Sequence, residues 1–326
     1  MVYTISCVQK SFENYKEMKE QPLVSVIIPN YNHARYLEQR LDSVFNQTYQ
    51  NIEVIFLDDC STDNSLEMIE KYKGNPRLSQ IVVNETNSGS VFKQWNKGIS
   101  LAKGELIWIA ESDDFCELNM LECLVNAYRH HRNTVLVYSP TVFVNDEGIP
   151  CGAYSIEGRT QHITGRGFIK KYLTVDNGVY NASCAIFSKR AAMNANKDYM
   201  NWKGIGDWWF WIYVAQQGDV VMVNKHMNYF RQHGNNTTAR LSTEGTNIRD
   251  VKVLLDYIYR CYNIPKWKKT YIDKMHRDRY ACIKYINQGV ADEMKKLWRM
   301  DYEYSKWELF CCRVLNHLQR RYLLRL

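Results

Sequence analysis

The sequence predicts an α/β fold in which a mainly parallel sheet is flanked by helices and followed by a helical C-terminal extension. Within the first 110 residues, four apolar strand patterns alternate with helical patterns, a spacing typical of parallel βαβ crossovers. After about residue 245, apolar residues recur at helical spacing, as at Val251, Leu254 and Ile258. We therefore divide the chain into a tail at 1–21, an α/β domain at 22–240 and a helical extension at 241–326.

The composition is that of a globular protein. The chain has 326 residues, of which 45% are hydrophobic and 13% aromatic, and a formal net charge of +7. This mild excess does not indicate nucleic-acid binding. The ten cysteines show no metal-site or paired spacing, so we expect reduced thiols and a cytoplasmic protein. No secretory segment and no apolar run of 18 residues is apparent.

Basic and aromatic residues are concentrated towards the C-terminal end, over residues 264–326. Two interpretations of this charge stay open. It suits peripheral contact with an anionic membrane surface, here the inner face of the membrane, and it equally suits a solvated pair of helices.

The first half of the chain contains the strand–helix alternation. A turn at 30–32 should lead from the first strand into a helix, and Ser61 or Thr62 should cap the next helix, which runs to 73. A further helix is predicted at 92–101. The predicted strands are 23–28, which Pro29 should stop, and 52–57, 81–83 and 106–110.

The second half is less regular. A long strand at 135–144 should end in a hairpin turn at 145–148. The aromatic run that starts at 204 has the length of a helix. The other predicted elements are helices at 117–131 and 163–174 and strands at 183–188, 220–223 and from 229.

Acidic residues follow two of the predicted strands. Asp58 and Asp59 end the second strand, and Glu111, Asp113 and Asp114 follow the fourth. The carboxyl ends of parallel strands form the edge at which open α/β sheets bind ligands. Crowded carboxylates favour a hard divalent cation, although a solvated turn or a helix N-cap is the alternative. Neither a Gly-x-Gly-x-x-Gly nor a Gly-Lys-Ser/Thr motif is present, so a metal would have to screen the phosphates of any bound nucleotide.

Three further polar residues are candidates for a site. Asp207 begins the aromatic helix, where it would either cap the helix or present a free oxygen to a substrate. Arg231 and His233 lie two residues apart at a strand end and should share a face. A cation beside an imidazole suits a diphosphate or a shared metal, whereas a lone histidine at a strand end is more often structural.

These motifs resemble, in their order, those of the family 2 glycosyltransferases, an inverting group with the GT-A fold. The resemblance covers residues 22 to about 238. The matching segments are 24–32, the Asp-Asp-x-Ser-x-Asp pattern at 58–63, 87–89 with 96–98, 111–114, 206–208 and 229–233.

The resemblance implies roles for individual residues. Pro29, Tyr31 and Asp59 would line the base and ribose pocket. Asp113 would lie near ribose and metal, Asp114 would ligate Mg²⁺ or Mn²⁺, and His233 would join the metal or diphosphate site with Arg231. Asp207 would be the general base for an acceptor hydroxyl. The donor would be a nucleotide-diphosphate sugar, by default a UDP-sugar, and the acceptor a saccharide or lipid-linked oligosaccharide of a surface polysaccharide.

Two departures limit the resemblance. Glu111 replaces the usual first aspartate, and Gly206 replaces the usual glutamate before the base. The direct metal role of Glu111 is therefore in question, and no role passes to Gly206. A nucleotidyltransferase is the alternative enzyme, although residues 29–32 lack its glycine-rich and basic loop. A non-catalytic sugar-nucleotide-binding or scaffold protein is the alternative from another class, although its acidic sites would be degraded.

Overall fold

The computed structural model describes residues 21–153, 159–232, 237–302, 305–307 and 310, with the side chains of 237–239 left out. The predicted tail therefore lies outside the described residues, except for Gln21. The strands are β1 (Val24–Asn30), β2 (Ile52–Asp58), β3 (Leu78–Val83), β4 (Leu106–Ile109), β5 (Phe115–Cys116), β6 (Thr134–Tyr138), β7 (Thr141–Val144), β8 (Pro150–Ala153), β9 (Gln161–Thr164), β10 (Ala185–Ser188), β11 (Asp219–Met222) and β12 (Asn228–Arg231). The α-helices are α1 (Ala34–Phe45), α2 (Ser65–Glu70), α3 (Val91–Leu101), α4 (Met120–His130), α5 (Gly165–Lys171), α6 (Lys189–Met193), α7 (Gly206–Ala215), α8 (Thr237–Thr243), α9 (Thr246–Cys261), α10 (Lys266–Ala281) and α11 (Gln288–Leu297).

A mixed eight-stranded sheet forms the centre of the molecule, in the order β3-β2-β1-β4-β10-β6-β11-β9. The pairs β3/β2, β2/β1, β1/β4 and β6/β11 are parallel, and the other three pairs are antiparallel. The prediction of a mainly parallel sheet is confirmed. Helices cover both faces, since one apolar cluster contains residues of α3 and α7 and the other contains residues of α1 and α4.

The prediction that Pro29 stops the first strand was wrong by two residues. β1 continues to Asn30, and Pro29 pairs in register with Leu57 of β2. On the opposite side, pairing with β4 ends at Ile27 and Ile109. Successive residues of a strand direct their backbone groups to alternate sides, so the missing N–H of Pro29 falls beyond the end of β4 and removes no hydrogen bond from the ladder.

The long strand predicted at 135–144 is two strands in different sheets. β6 belongs to the large sheet, whereas β7 belongs to a second sheet of order β5-β12-β7-β8. The break falls at Ser139 and Pro140, and proline cannot donate to a ladder. The predicted hairpin turn is confirmed, because β7 and β8 are antiparallel and Gly148 has a φ of +82°.

The bounds of one predicted helix and the cap of another were wrong. The helix predicted at 163–174 is present but shorter, because residues up to Thr164 belong to β9 and α5 runs from Gly165 to Lys171, with Thr164 accepting a hydrogen bond from the Gly167 amide. α2 begins at Ser65, so neither Ser61 nor Thr62 caps it. Asp63 instead accepts from the Ser65 amide at 3.0 Å.

The described part of the extension packs on the α/β domain. Leu254, Leu255 and Ile258 of α9 are fully buried in the same apolar cluster as α7. Trp209 of α7 lies 5.0 Å from the ring of Tyr257. Across the described residues, we find no helix with both the length and the apolar character needed to cross a membrane.

Candidate functional site

The candidate site lies at the carboxyl ends of β1, β2 and β4. The positions of the acidic residues in the sequence predicted this location. These three neighbouring strands are parallel, so the segments that follow them meet at one edge of the sheet. Tyr31 follows β1 and Asp59 follows β2. Residues 111–114, which we call the acid loop, follow β4.

Asp59 is held by hydrogen-bond donors from α3 and from the segment that joins β3 to α3. Its carboxylate accepts from the amide and the hydroxyl of Ser88, at 2.9 and 2.8 Å, and from the Gln94 amide at 2.8 Å. Asn84 donates to it as well. The side chain is 5% exposed. Asp59 is thus a fixed acceptor at the edge of the sheet.

The turn after β1 presents an aromatic ring beside Asp59. Asn32 has a φ of +57°, a left-handed conformation that asparagine tolerates better than most residues. Its side-chain oxygen accepts from the Thr62 amide at 2.7 Å, which ties this turn to the segment after β2. Tyr31 is 46% exposed, whereas Pro29, two residues earlier, is buried.

Asp114, the last residue of the acid loop, is buried and only 1% exposed. One oxygen accepts from the Arg231 backbone amide at 3.0 Å, and the other from Asn181 at 2.8 Å and Ser183 at 2.7 Å. A guanidinium nitrogen of Arg40 lies 3.8 Å away. Burial, followed by the charge of Asp113, raises the pKa of Asp114. Asp114 therefore braces the loop, and direct metal ligation by it stays a prediction.

Arg231 braces the same loop from β12. Its Nε donates to the Asp113 carbonyl at 2.8 Å, and its terminal nitrogens donate to the carbonyls of Asn145 and Asp146 and to Gln39. The side chain is 4% exposed. These contacts tie β12 to the acid loop, to the turn after β7 and to α1, and they do not provide support for the predicted diphosphate contact. His233 lies outside the described residues.

Arg40 and Ser183 organise the acid loop, and the sequence analysis missed both. Arg40 is fully buried, and its Nε donates to the Glu111 carbonyl at 2.8 Å. The Ser183 hydroxyl accepts from Arg40 at 3.1 Å and from the Glu111 amide at 3.0 Å. Arg40 had a detectable signal, because a charged residue stands among the apolar positions of an amphipathic helix between Leu37 and Leu41.

Glu111 contacts helix α3 through its side chain. Its carboxyl group accepts from the indole nitrogen of Trp95 at 2.8 Å. Burial, with the charge of Asp113 as the next cause, raises the pKa of Glu111 to about 8. The contact with Trp95 thus ties the acid loop to α3.

Asp207 lies in the first turn of α7, one residue inside the helix. The N-cap position belongs to Ile205, so the interpretation of Asp207 as an N-cap was wrong. One carboxylate oxygen accepts from the Trp208 amide at 2.8 Å and the other from Asn177 at 2.7 Å. Burial raises the pKa of Asp207 to about 6, against the effect of these donors.

The glycine at position 206 is explained by the lack of room for a side chain. A Cβ added there would stand 2.5 Å from the ring of Phe92 and 2.5 Å from the Tyr199 carbonyl. Phe92 thus occupies the position of a side chain at 206, which no larger residue could share without moving the backbone or the ring.

The first turn of α3 links these separate segments. Gln94 donates to Asp59, and Trp95 donates to Glu111. Trp95 also packs edge-on against Phe210 of α7, with 5.7 Å between the ring centroids. One rigid helix therefore contacts the segments that carry Asp59, the acid loop and Asp207.

The acid loop is the part of the site whose chemistry would suit a divalent cation. Of its two aspartates, Asp113 is partly buried, whereas Asp114 is only 1% exposed. Repulsion from Asp113 contributes to the raised pKa of Asp114 and Glu111, and a bound cation would relieve it. Within the described ranges, no group of three or more His, Cys, Asp and Glu residues forms a metal site.

Comparison with known proteins identifies the family. The family model described as glycosyl transferase family 2 matches residues 25–194. The glycosyltransferase GlyG of Streptococcus pneumoniae is 43% identical over 102 residues, 31% of this chain and 34% of GlyG. The poly(ribitol-phosphate) beta-N-acetylglucosaminyltransferase TarS of Staphylococcus aureus is 31% identical over 192 residues, 53% of this chain and 33% of TarS. The chain thus spans about a third of the length of these two relatives.

Solved structures show the same fold. TarS residues 1–349, in complex with UDP-GlcNAc, align with a TM-score of 0.64 and 20% identity over 84% of this chain and 79% of that chain. The mannosyltransferase PcManGT of Pyrobaculum calidifontis, in complex with GDP-Man and Mn²⁺, aligns with a TM-score of 0.51 and 15% identity over 98% of this chain and 90% of that chain. The predicted fold class is confirmed, and because the family model covers more than half of it, the chain belongs to glycosyl transferase family 2.

Proposed function

We propose that this protein is an inverting glycosyltransferase that moves one sugar from a nucleotide-diphosphate sugar to a hydroxyl group of a saccharide or lipid-linked acceptor. The observation that carries the proposal is the meeting of Asp59, the acid loop and the helix of Asp207 around the first turn of α3. A fixed acceptor, a carboxylate cluster and a separate base are what this reaction requires. The name of TarS, a poly(ribitol-phosphate) beta-N-acetylglucosaminyltransferase, supports a sugar-transfer reaction with a polymer as the acceptor.

The nucleotide would bind at the ends of β1 and β2. Tyr31 is exposed and can stack on a base, and Pro29 would form the floor beneath it. Asp59 would accept from an N–H group of the base. Its existing donors hold the carboxylate in one orientation, which lowers the entropic cost of that contact. Uracil presents one such N–H group. We therefore propose a pyrimidine base as the partner of Asp59 and a UDP-sugar as the donor.

Asp113 would hold Mg²⁺ or Mn²⁺ together with phosphate oxygens, and His233 is the predicted further ligand. When bound, the ion neutralises the charge that develops on the diphosphate leaving group. Arg40 and Ser183 keep the loop in place from below, and Arg231 keeps it in place from β12. We assign these three residues to positioning the loop and not to contacting the donor.

Asp207 would take the proton from the acceptor hydroxyl as that hydroxyl attacks the anomeric carbon. Its pKa of about 6 leaves it ionised at neutral pH and basic enough to accept a proton. Attack opposite the departing diphosphate inverts the anomeric centre. Asn177 and the Trp208 amide fix the direction of the two oxygens.

The residues at the C-terminal end play no part in this proposal. A basic segment begins α10. In it, Lys268 donates to the Lys170 carbonyl at 2.8 Å and so packs on the α/β domain, whereas Trp267 is 52% exposed. Residues 311–326 lie outside the described residues. Peripheral membrane contact therefore stays a prediction.

Calorimetric titration with UDP, with and without Mn²⁺, tests the donor site. We expect Mn²⁺ to tighten UDP binding to the wild type, since a ligand that binds the complex stabilises it by mass action. Asp113→Asn should remove most of the gain from Mn²⁺ and leave metal-free binding unchanged. Asp256→Asn, which removes an exposed charge from α9, is the matched control.

The outcomes separate the alternatives. If another nucleotide binds and UDP does not, the assignment of the base pocket is wrong. If Asp113→Asn keeps the full gain from Mn²⁺, the metal is not held by the acid loop. If the wild-type protein binds UDP but forms no UDP from any UDP-sugar and saccharide acceptor tested, the protein is a scaffold and not an enzyme.

A further inference from the structure

The C-terminal extension reaches the site through one stretch of chain, residues 174–183, which we call the bridging segment. At one end, Thr174 and Asp176 contact helix α10 of the extension. In the middle, Asn177 donates to Asp207 at 2.7 Å. At the other end, Ser183 contacts the acid loop.

His276 of α10 makes the first of the contacts with the extension. It is fully buried, and its Nε2 lies 3.2 Å from the Thr174 carbonyl. Burial lowers its pKa to about 4, so the ring is neutral at physiological pH. A carbonyl oxygen can only accept, so Nε2 carries the proton and Nδ1 accepts from the Tyr280 hydroxyl, 3.2 Å away. The imidazole is therefore fixed between its own helix and the bridging segment.

Arg279, one turn of α10 further on, makes the second contact. It lies 3.1 Å from one oxygen of Asp176, which also accepts from the Tyr180 hydroxyl at 2.8 Å. The other oxygen of Asp176 accepts from the Asn177 amide at 2.9 Å. The charge on Arg279 thus holds the carboxylate that orients the backbone of Asn177.

We propose that the extension is part of the active site's support, and that Arg279 positions the candidate base Asp207 through Asp176 and Asn177. The inference rests on the proposed function. It predicts that the α/β domain needs α10 for the rate of the chemical step and not for donor binding, because Asp59, Tyr31 and the acid loop are held by other elements.

The test is steady-state kinetics of Arg279→Met, with Arg279→Lys as the conservative variant. We expect Arg279→Met to lower kcat about tenfold or more, since small displacements of a reacting group have effects of this size. The KM for the donor and the affinity for UDP should not change. Arg279→Lys keeps the positive charge and should recover most of the rate. The side chain of Arg279 is 43% exposed, so the substitution should not unfold the protein.

Arg249→Met is the matched control. It breaks the ion pair of Arg249 with Glu293, which lies within the extension and does not involve the bridging segment. We expect wild-type kcat from this variant. If it lowers kcat as much as Arg279→Met does, the effect is a general loosening of the extension and the inference fails.

A double-mutant cycle with Asn177→Ala decides whether the coupling follows this route. If Arg279 acts through Asn177, Arg279→Met should add little to the loss already caused by Asn177→Ala, whereas independent effects would multiply. Multiplying effects, or a wild-type kcat for Arg279→Met, overturn the inference. Failure of the proposed function is a different result, because the wild type itself would then turn over no UDP-sugar.

Discussion

Asp114 and Asp207 are two carboxylates with raised pKa in one candidate site, yet their surroundings differ. Asp114 is buried among charges, with Asp113 raising its pKa and Arg40 opposing that effect. Asp207 has its pKa raised by burial and held down only by N–H donors. Asp114 accepts three hydrogen bonds, one from Arg231 of β12 and two from Asn181 and Ser183, whereas Asp207 accepts one from its own helix and one from Asn177.

The difference shows that a perturbed pKa does not by itself identify a reacting group. A carboxylate surrounded by partners from distant segments holds those segments together, and this is the position of Asp114. A partly buried carboxylate with few partners and a pKa near the working pH is suited to proton transfer, and this is the position of Asp207. We therefore assign a structural role to Asp114 and proton transfer to Asp207.

The largest effect should come from Asp207→Asn. The amide keeps the shape of the side chain but cannot accept a proton from the acceptor hydroxyl, so we expect kcat to fall about a thousandfold. UDP affinity, measured by calorimetry, should equal that of the wild type. Asp219→Asn at the start of β11 is the control, and a comparable loss there, or a near-normal kcat for Asp207→Asn, would remove Asp207 as the base.

Asp114→Ala should act mainly on stability. It leaves the Arg231 amide, Asn181 and Ser183 without their buried acceptor and removes the anion next to Arg40. We expect the free energy of unfolding to fall by about 3 kcal/mol. Asp113→Ala, at a partly exposed position, should change it by no more than about 0.5 kcal/mol. Urea unfolding compares the two, and equal losses would mean that Asp114 does not brace the loop.

The sequence was informative where residues follow a strand. Apolar strands in an alternating pattern predicted parallel pairing, and parallel pairing places the ends of β2 and β4 at one edge. Asp59 and Asp113 were found in this way from positions in the chain alone. The same logic failed at Pro140, because one strand was predicted across 135–144 although the proline within it marks a change of sheet.

The sequence was uninformative where the site depends on distant contacts. Ser183 lies 143 residues from Arg40, and Asn177 lies 30 residues from Asp207. No periodicity or turn chemistry predicts such pairs, since each is set by how whole elements pack. The sequence analysis therefore identified the acidic residues of the site but not the residues that hold them in place.

The pH dependence of kcat/KM tests the comparison most finely. Asp207 must be deprotonated to act as a base, so kcat/KM should be constant above pH 7, bend near pH 6 and fall about tenfold per pH unit below the bend. The acid loop also titrates, so the bend alone does not identify its source. Asn177→Ala removes a hydrogen bond that stabilises the Asp207 anion and leaves the donors of Asp114 in place. The bend should move to higher pH if it belongs to Asp207, because loss of that donor raises its pKa. A bend that stays in place would assign the titration to the acid loop and reverse the roles given to the two carboxylates.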